Sequence, residues 1–236
     1  MQDRYAGDVG DYVKLGLLRA LATDRKLGVV WYRFSDEDHN KDGRHITYLD
    51  KPEHYRQFDP ALFEHLRQVV VSARTISSLL PVLPNVASYG DSVDSGMFPA
   101  RQRREWRRAW FNRALDQISG CDIVFADPDN GIVDDADKRM GLAKFGKQMP
   151  LSEVQSLADG CCAVIYHHNT RRAGGHDAEV DYWLGEFGVP GMAVRATAYS
   201  PRTFFVLNPD QETASRVVDF CDRWRNLKVR LHTSGS

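Results

Sequence analysis

The sequence lacks the features that define several common protein classes. No apolar run approaches the roughly 20 residues of a transmembrane helix, and Met1 to Arg4 has no secretory hydrophobic segment. The four cysteines form no Cys-x-x-Cys pair and lie beside or within apolar runs, which favours buried small side chains over metal ligands. There is no internal repeat or low-complexity segment. We therefore expect a cytoplasmic protein without a membrane partner.

Length and composition predict one large folded domain. The chain has 236 residues, 42% of them hydrophobic, which is enough to bury a full core. We expect one α/β domain over residues 1–232 and disorder over 233–236. The formal charge of −1 excludes neither nucleic acid nor small-molecule ligands.

The central feature is an apolar run that ends in polar turn residues, from Asp122 to Gly131. Such a run is typical of a buried parallel strand, and ligands bind at the carboxyl ends of strands in open α/β sheets. We therefore predict catalytic roles for Asp127, Pro128, Asp129 and Asn130. The alternative is that these residues only form a turn.

A second buried strand, Cys161–Tyr166, is followed by two histidines. Histidines at the end of a strand and beside carboxylates can act as ligands or proton carriers. His167 and His168 are therefore candidate catalytic residues, although a histidine in such a position can also be structural.

Polar residues that follow the first predicted strand form a second candidate site. The strand Leu27–Phe34 runs into an acidic loop, and Lys14 lies one turn into a helix predicted over 12–22. The candidate cofactor-binding residues are Lys14, Asp36, Glu37, His39 and Asn40. The alternatives are an ordinary surface loop and a solvated helix lysine.

Arginines concentrate on one predicted helix, Ala100–Ile118, with six of them between Arg101 and Arg113. Crowded like charges repel, and an anionic partner such as the phosphates of nucleic acid would relieve that cost. Pairing with the chain's own carboxylates is the alternative. The candidate substrate-binding residues are Arg101, Arg104 and Arg108, together with Arg171 in a basic loop.

The remaining pattern completes a fold prediction. Helices are predicted from Asp59-Pro60, over Leu151–Ala158 and Asp177–Phe187, and after Asn208-Pro209. Strands are predicted at Val86–Tyr89, Met192–Ala198 and Thr203–Leu207, the last two as an antiparallel hairpin. The expected fold is α/β and Rossmann-like, with a mostly parallel sheet, a C-terminal antiparallel hairpin and helices on both faces.

Three segments resemble bacterial large-subunit ribosomal RNA adenine amino-methyltransferases. Tyr5–Lys14 is similar to their opening His-Ala-Gly-Asn-x-x-Asp-x-x-Lys, Asp127-Pro128 to the first half of Asp-Pro-Pro-Tyr, and Thr203–Pro209 to their closing strand. The resemblance implies S-adenosylmethionine as cofactor. It also implies that Asp127 and the Pro128 carbonyl accept hydrogen bonds from the amino group of a flipped or single-stranded adenine.

The chain departs from that family at defined positions, and two alternatives follow. Asp129 and Asn130 replace the second proline and the aromatic residue, and the acidic loop replaces a glycine-rich loop after the first strand. A metal-dependent hydrolase or nuclease is the first alternative, with magnesium, manganese or zinc as the metal. A binding module with a decayed cofactor site is the second. In the metal-dependent alternative, the metal ligands would be Asp36, His39, Asp127, Asp129, His167 and His168.

Overall fold

A seven-stranded sheet forms the centre of the protein in a computed structural model that describes residues 1–36, 43 and 45–234. Its strand order is β2-β1-β3-β6-β8-β7-β9, and β4 and β5 form a separate parallel pair. The strands are β1 Leu27–Trp31, β2 Val86–Tyr89, β3 Ile123–Asp127, β4 Ile132–Val133, β5 Met149–Pro150, β6 Cys162–His168, β7 Gly191–Ala196, β8 Arg202–Leu207 and β9 Val229–Leu231.

Helices cover both faces of the sheet. One face packs against α1, α3 and α8, and the other against α4, α6 and α7. The α-helices are α1 Val9–Leu21, α2 Pro52–Tyr55, α3 Pro60–Ser72, α4 Ala100–Gln117, α5 Asp137–Met140, α6 Leu151–Ala158, α7 Gly175–Glu186 and α8 Gln211–Trp224. Short 3-10 helices lie at Asp3–Tyr5, Thr47–Asp50, Ile76–Val82, Ala143–Lys147 and Arg225–Leu227.

Two neighbouring strands, β1 and β3, are buried along their whole length and pair in parallel, with Trp31 opposite Asp127. Their continuous apolar sequences reflect burial on both faces. Strand β8 is antiparallel to β6 and to β7, and lies between them. The Rossmann-like α/β fold with its C-terminal antiparallel pair is therefore confirmed.

Aspartate side chains cap the starts of three α-helices, α1, α3 and α8. Asp8 caps α1 by accepting from Asp11 N at 3.0 Å, and Asp59 caps α3 by accepting from Leu62 N at 3.0 Å. The prediction that Asn208-Pro209 begins the last helix was wrong by two residues. Asp210 is the cap, and it accepts from Thr213 N at 2.7 Å.

Two further details differ from the prediction. His167 and His168 lie inside β6 and pair with Thr203 and Arg202 of β8, because the antiparallel ladder extends the strand beyond Tyr166. Strand β9 was not predicted. It is short and adds to β7 at the edge of the sheet.

None of the helices in the described ranges is long and apolar enough to cross a membrane.

Candidate functional site

The candidate site is a cleft at the carboxyl ends of β1 and β3. Strand β2 lies on one side of β1 and strand β3 on the other, so the winding direction of the sheet changes between β1 and β3. Such a change opens a crevice where ligands bind in doubly wound sheets. The cavity there is about 210 Å³ in volume. Its lining includes Tyr5, Asp8, Gly10, Asp11, Lys14, His45, Asp127, Pro128, Asp129, Asn130, Tyr166, His168, Ser200 and Arg202.

A buried ion-pair triad forms the floor of this cleft. Lys14 Nζ lies 2.8 Å from Asp11 Oδ1 and 2.8 Å from Asp127 Oδ2. All three side chains are buried, and Asp127 is only 2% exposed. The triad therefore joins the first helix to the end of β3, across more than a hundred residues of sequence.

Burial and charge act against each other on the pKa values of the triad. Burial lowers the pKa of Lys14, but the two adjacent carboxylates outweigh it and the net shift is upward. Burial raises the pKa of Asp127 and of Asp11, and the charge of Lys14 opposes that shift only in part. The Lys14 ammonium group is stabilised by two carboxylates, so its protonated form is favoured. Each carboxylate has only a share of one cation, so burial still disfavours its charged form.

The loop after β3 is fixed by contacts from several directions. Gln2 Nε2 donates to Asp129 Oδ2 at 2.8 Å, and Lys147 Nζ lies 3.6 Å from the same atom. Asn130 N donates to Lys147 O at 2.8 Å. The loop is therefore held in a defined position with Asn130 exposed at the cleft.

His167 supports this loop from behind. Its Nδ1 accepts from Ile132 N at 3.0 Å, and its Nε2 lies 3.2 Å from Glu179 Oε1. The side chain is completely buried, and both ring nitrogens have protein partners. His167 is thus placed to position the loop, whereas exposed His168 lines the cleft.

Glu179 anchors His167 and the residues that follow β6. Its carboxylate accepts from Thr170 N at 2.9 Å and from Thr170 Oγ1 at 2.5 Å, and Asn169 Nδ2 donates to it at 3.2 Å. Burial raises the pKa of Glu179, but these hydrogen bonds and the one from His167 outweigh it and lower the pKa to about 2. Glu179 was not recognised from sequence, since it is one acidic residue in an ordinary helix.

The predicted substrate arginines lie away from the cleft. Arg104 and Arg108 line a second cavity of about 370 Å³ between α4 and α6, and Arg104 pairs with Asp137 at 2.6 Å. Arg101 and Arg171 are exposed. Neighbouring Arg107 is buried instead, and its Nε lies 2.8 Å from Glu153 Oε1.

The acidic loop after the first strand is only partly described. Asp36 is exposed, and its Oδ1 accepts from Arg4 N at 3.4 Å. Glu37, His39 and Asn40 lie outside the described residues. Within residues 1–36, 43 and 45–234, no group of three or more His, Cys, Asp or Glu side chains is placed to hold a metal ion.

The end of β1 is covered by the chain's own first residues. Phe34 N donates to Met1 O at 3.0 Å, and Gln2 is completely buried. These residues lie where a glycine-rich loop would otherwise expose backbone to a cofactor. The open part of the cleft is consequently on the side of α1 and the loop after β3.

Comparison with known proteins establishes the fold and nothing further. No family model matches the sequence, and no curated protein matches it. Among solved structures, the chain is similar to protein LPL1258 of Legionella pneumophila strain Philadelphia 1, of family DUF519. The match covers 98% of both chains with a TM-score of 0.53 and 10% sequence identity. What the two proteins share is therefore their α/β architecture.

Proposed function

We propose that this protein is an S-adenosylmethionine-dependent methyltransferase-like enzyme that acts on an amino group of a nucleic-acid base or a related substrate. The contact of Lys14 with Asp127 carries the proposal. It joins two of the segments that resemble adenine amino-methyltransferases, which are separate in sequence, at the floor of one cleft. The antiparallel β8 between β6 and β7 is also how the sheets of these enzymes end.

The charges in the cleft suit the cofactor. Its sulfonium and ammonium groups are cationic, and Asp8, Asp127 and Asp129 line the cavity. Its carboxylate is anionic, and Arg202 lines the same cavity. Pockets for drug-sized ligands are about 300–1,000 Å³, so a ligand of that size would extend beyond the cavity along the cleft. When bound, the cofactor supplies an electrophilic methyl group.

The chain's own residues would orient the acceptor amine. Asp127 Oδ2 is engaged by Lys14, while Oδ1 has no hydrogen-bond donor in the described part of the chain. Oδ1 and the carbonyl of Pro128 could each accept one hydrogen of an amino group, which would aim its lone pair into the cleft. Lys14 would act as a positioning residue, since it fixes the Asp127 carboxylate.

Neither alternative gains support from a specific observation. Both ring nitrogens of His167 have protein partners, so that side chain cannot bind a metal in this arrangement. Of the two acidic-loop residues in the metal-dependent alternative, Asp36 is exposed and His39 lies outside the described residues. A binding module without catalysis stays an outcome of the experiment below.

Isothermal titration with S-adenosylmethionine in the presence of a chelator tests the proposal. We expect wild-type protein and the exposed control Asp116→Asn to bind the cofactor, and Asp127→Asn to lose methyl transfer to single-stranded oligonucleotides while staying folded. Binding without transfer to any amino acceptor would support the binding module. A complete lack of cofactor binding by folded protein would refute the proposal, and titration with manganese would then test the metal-dependent alternative.

A further inference from the structure

Arg202 is a buried cation whose side chain has no hydrogen-bond or ion-pair partner among the residues that the structure describes. It begins β8, is 7% exposed and lines the cleft. Its Nε is buried without a hydrogen-bond partner, and no hydrogen bond or ion pair joins its guanidinium to another described residue. A buried guanidinium without an anion is costly. A buried guanidinium that lowers the stability of the free protein is expected where a bound anionic ligand supplies the missing partner.

The amino end of α1 meets Arg202 in the same place. A Cβ added to Gly10 would lie 1.9 Å from Arg202 Nη1, so the guanidinium packs directly against the glycine backbone. Gly10 N lies in the first turn of α1 and has no hydrogen-bond partner in the described ranges. Helix α1 has 13 residues, and free N–H groups at a helix start attract anions.

The nearby carboxylates do not neutralise Arg202. Asp8 Oδ1 accepts from Asp11 N at 3.0 Å as the helix cap, and Asp8 forms no ion pair with Arg202 in the part of the chain that the structure describes. Asp11 and Asp127 are engaged by Lys14. The site therefore offers two kinds of hydrogen-bond donor, the Arg202 guanidinium and the Gly10 N–H, beside the Asp8 carboxylate. This arrangement suits a ligand that has an oxyanion and, next to it, a hydrogen-bond donor.

We propose that Arg202 and the amino end of α1 bind an oxyanion of the cleft's ligand, either a phosphate or a carboxylate. The anion site stands on the geometry alone, but the identity of its ligand rests on the proposed function. A phosphate would belong to a nucleotide substrate, and a carboxylate to the amino-acid part of the cofactor. In both cases the cleft selects its ligand by charge.

Two pairs of probes test the site by isothermal titration. Adenosine 5′-monophosphate is compared with adenosine, and S-adenosylmethionine with 5′-methylthioadenosine, which lacks the amino acid. We expect the charged member of at least one pair to bind more tightly. Arg202→Met should reduce that advantage roughly tenfold or more, whereas Arg230→Met, which removes an exposed cation on β9, should preserve it. The pair that responds identifies the source of the anion.

The stability of the free protein gives an independent readout. If Arg202 serves a ligand, Arg202→Met removes a buried charge that no described residue pairs with, and the Tm of the free protein should rise or stay unchanged. A structural arginine would give a lower Tm. Gly10→Ala is a second variant, because its methyl group must displace the guanidinium while the residue stays compatible with a helix. It should weaken binding of the same charged probe.

The outcomes separate this inference from the proposed function. Charge discrimination that survives in both variants, or that is absent from wild-type protein, overturns the anion site even if S-adenosylmethionine binds. Discrimination between the two adenosine probes that depends on Arg202 supports the site even if S-adenosylmethionine does not bind, and the methyltransferase proposal alone then fails.

Discussion

At the scale of single residues, Lys14 links the stability of the protein to its site. Removing it in Lys14→Met leaves Asp11 and Asp127 buried without a counter-charge. Breaking a buried ion pair in this way costs about 3–5 kcal/mol. Urea unfolding should show a loss of that size, against less than about 0.5 kcal/mol for exposed Lys138→Met.

A double-mutant cycle checks the origin of that loss. Lys14→Met combined with Asp127→Asn leaves only one buried carboxylate, so the double variant should be more stable than the sum of the two single effects predicts. Additive effects would show that Lys14 and Asp127 are not coupled. Titration of the two single variants and the double variant with S-adenosylmethionine would then distinguish a variant that is unfolded from one that is folded but has lost its binding site.

Glu179 predicts a specific dependence of stability on pH. Its pKa in the folded protein is about 2, below the usual value of about 4.3 in an unfolded chain. A lowered folded-state pKa stabilises the protein above the unfolded value, and that stabilisation is lost as pH falls from about 5 towards 2. The shift corresponds to about 3 kcal/mol.

Glu179→Gln should therefore be less stable than wild type at pH 7, and the two unfolding free energies should converge as the pH approaches 2. Chemical denaturation at a series of pH values measures this. Parallel curves for the two proteins would contradict the assignment. Glu186→Gln, an exposed substitution at the end of the same helix, serves as the control.

At the scale of elements, the loop after β3 depends on a glycine. Gly131 has a φ of +79°, and a Cβ there would lie 2.5 Å from His167 Nδ1. Gly160 has a similar φ of +77°, but a Cβ there would meet no described atom within 4 Å. The two positions separate backbone strain from steric conflict.

Gly131→Ala should therefore destabilise the protein more than Gly160→Ala does, because strain of about 1 kcal/mol is common to both and only Gly131→Ala disturbs His167. It should also weaken cofactor binding, since the loop carries Asp129 and Asn130. Thermal unfolding and titration of both variants measure these effects. Equal losses would show that the contact with His167 does not position the loop.

Local sequence signals predicted those elements that depend on local physics. The continuous apolar runs predicted β1 and β3, and the Asp59-Pro60 pair predicted the start of α3. The length of β6 was underestimated because its last two residues are polar and owe their strand conformation to pairing with β8. Only the tertiary ladder, which leaves no local signal, extends the strand.

At the scale of the whole molecule, the exposed arginines of α4 give a test of nucleic-acid binding. Replacing Arg104 and Arg108 by Ala should reduce the slope of log K against log salt by about 2 if each contacts one phosphate. Arg216→Ala with Arg223→Ala, on α8, is a control of equal charge. An unchanged slope would show that Arg104 and Arg108 of α4 do not contact the phosphates of nucleic acid.

The candidate site could be predicted only in part. Asp127 was selected because it ends an apolar strand, and Lys14 because it lies one turn into a predicted helix. The contact between them spans 113 positions and depends on the packing of α1 against the sheet. Arg202 was missed, since a single arginine after a proline carries no pattern. Its significance is that it is buried with no partner in residues 1–36, 43 and 45–234, which only the folded arrangement reveals.

The place of β8 also determines when the sheet can be completed during synthesis. Strand β7 is made before β8, yet it cannot join the sheet without it, because β8 separates it from β6. A nascent chain that ends before residue 202 therefore presents the apolar strand β6 as an open edge, ready to pair with other chains. Strand β8 covers that edge, so its synthesis marks the point at which the edge of β6 is protected from pairing with other chains.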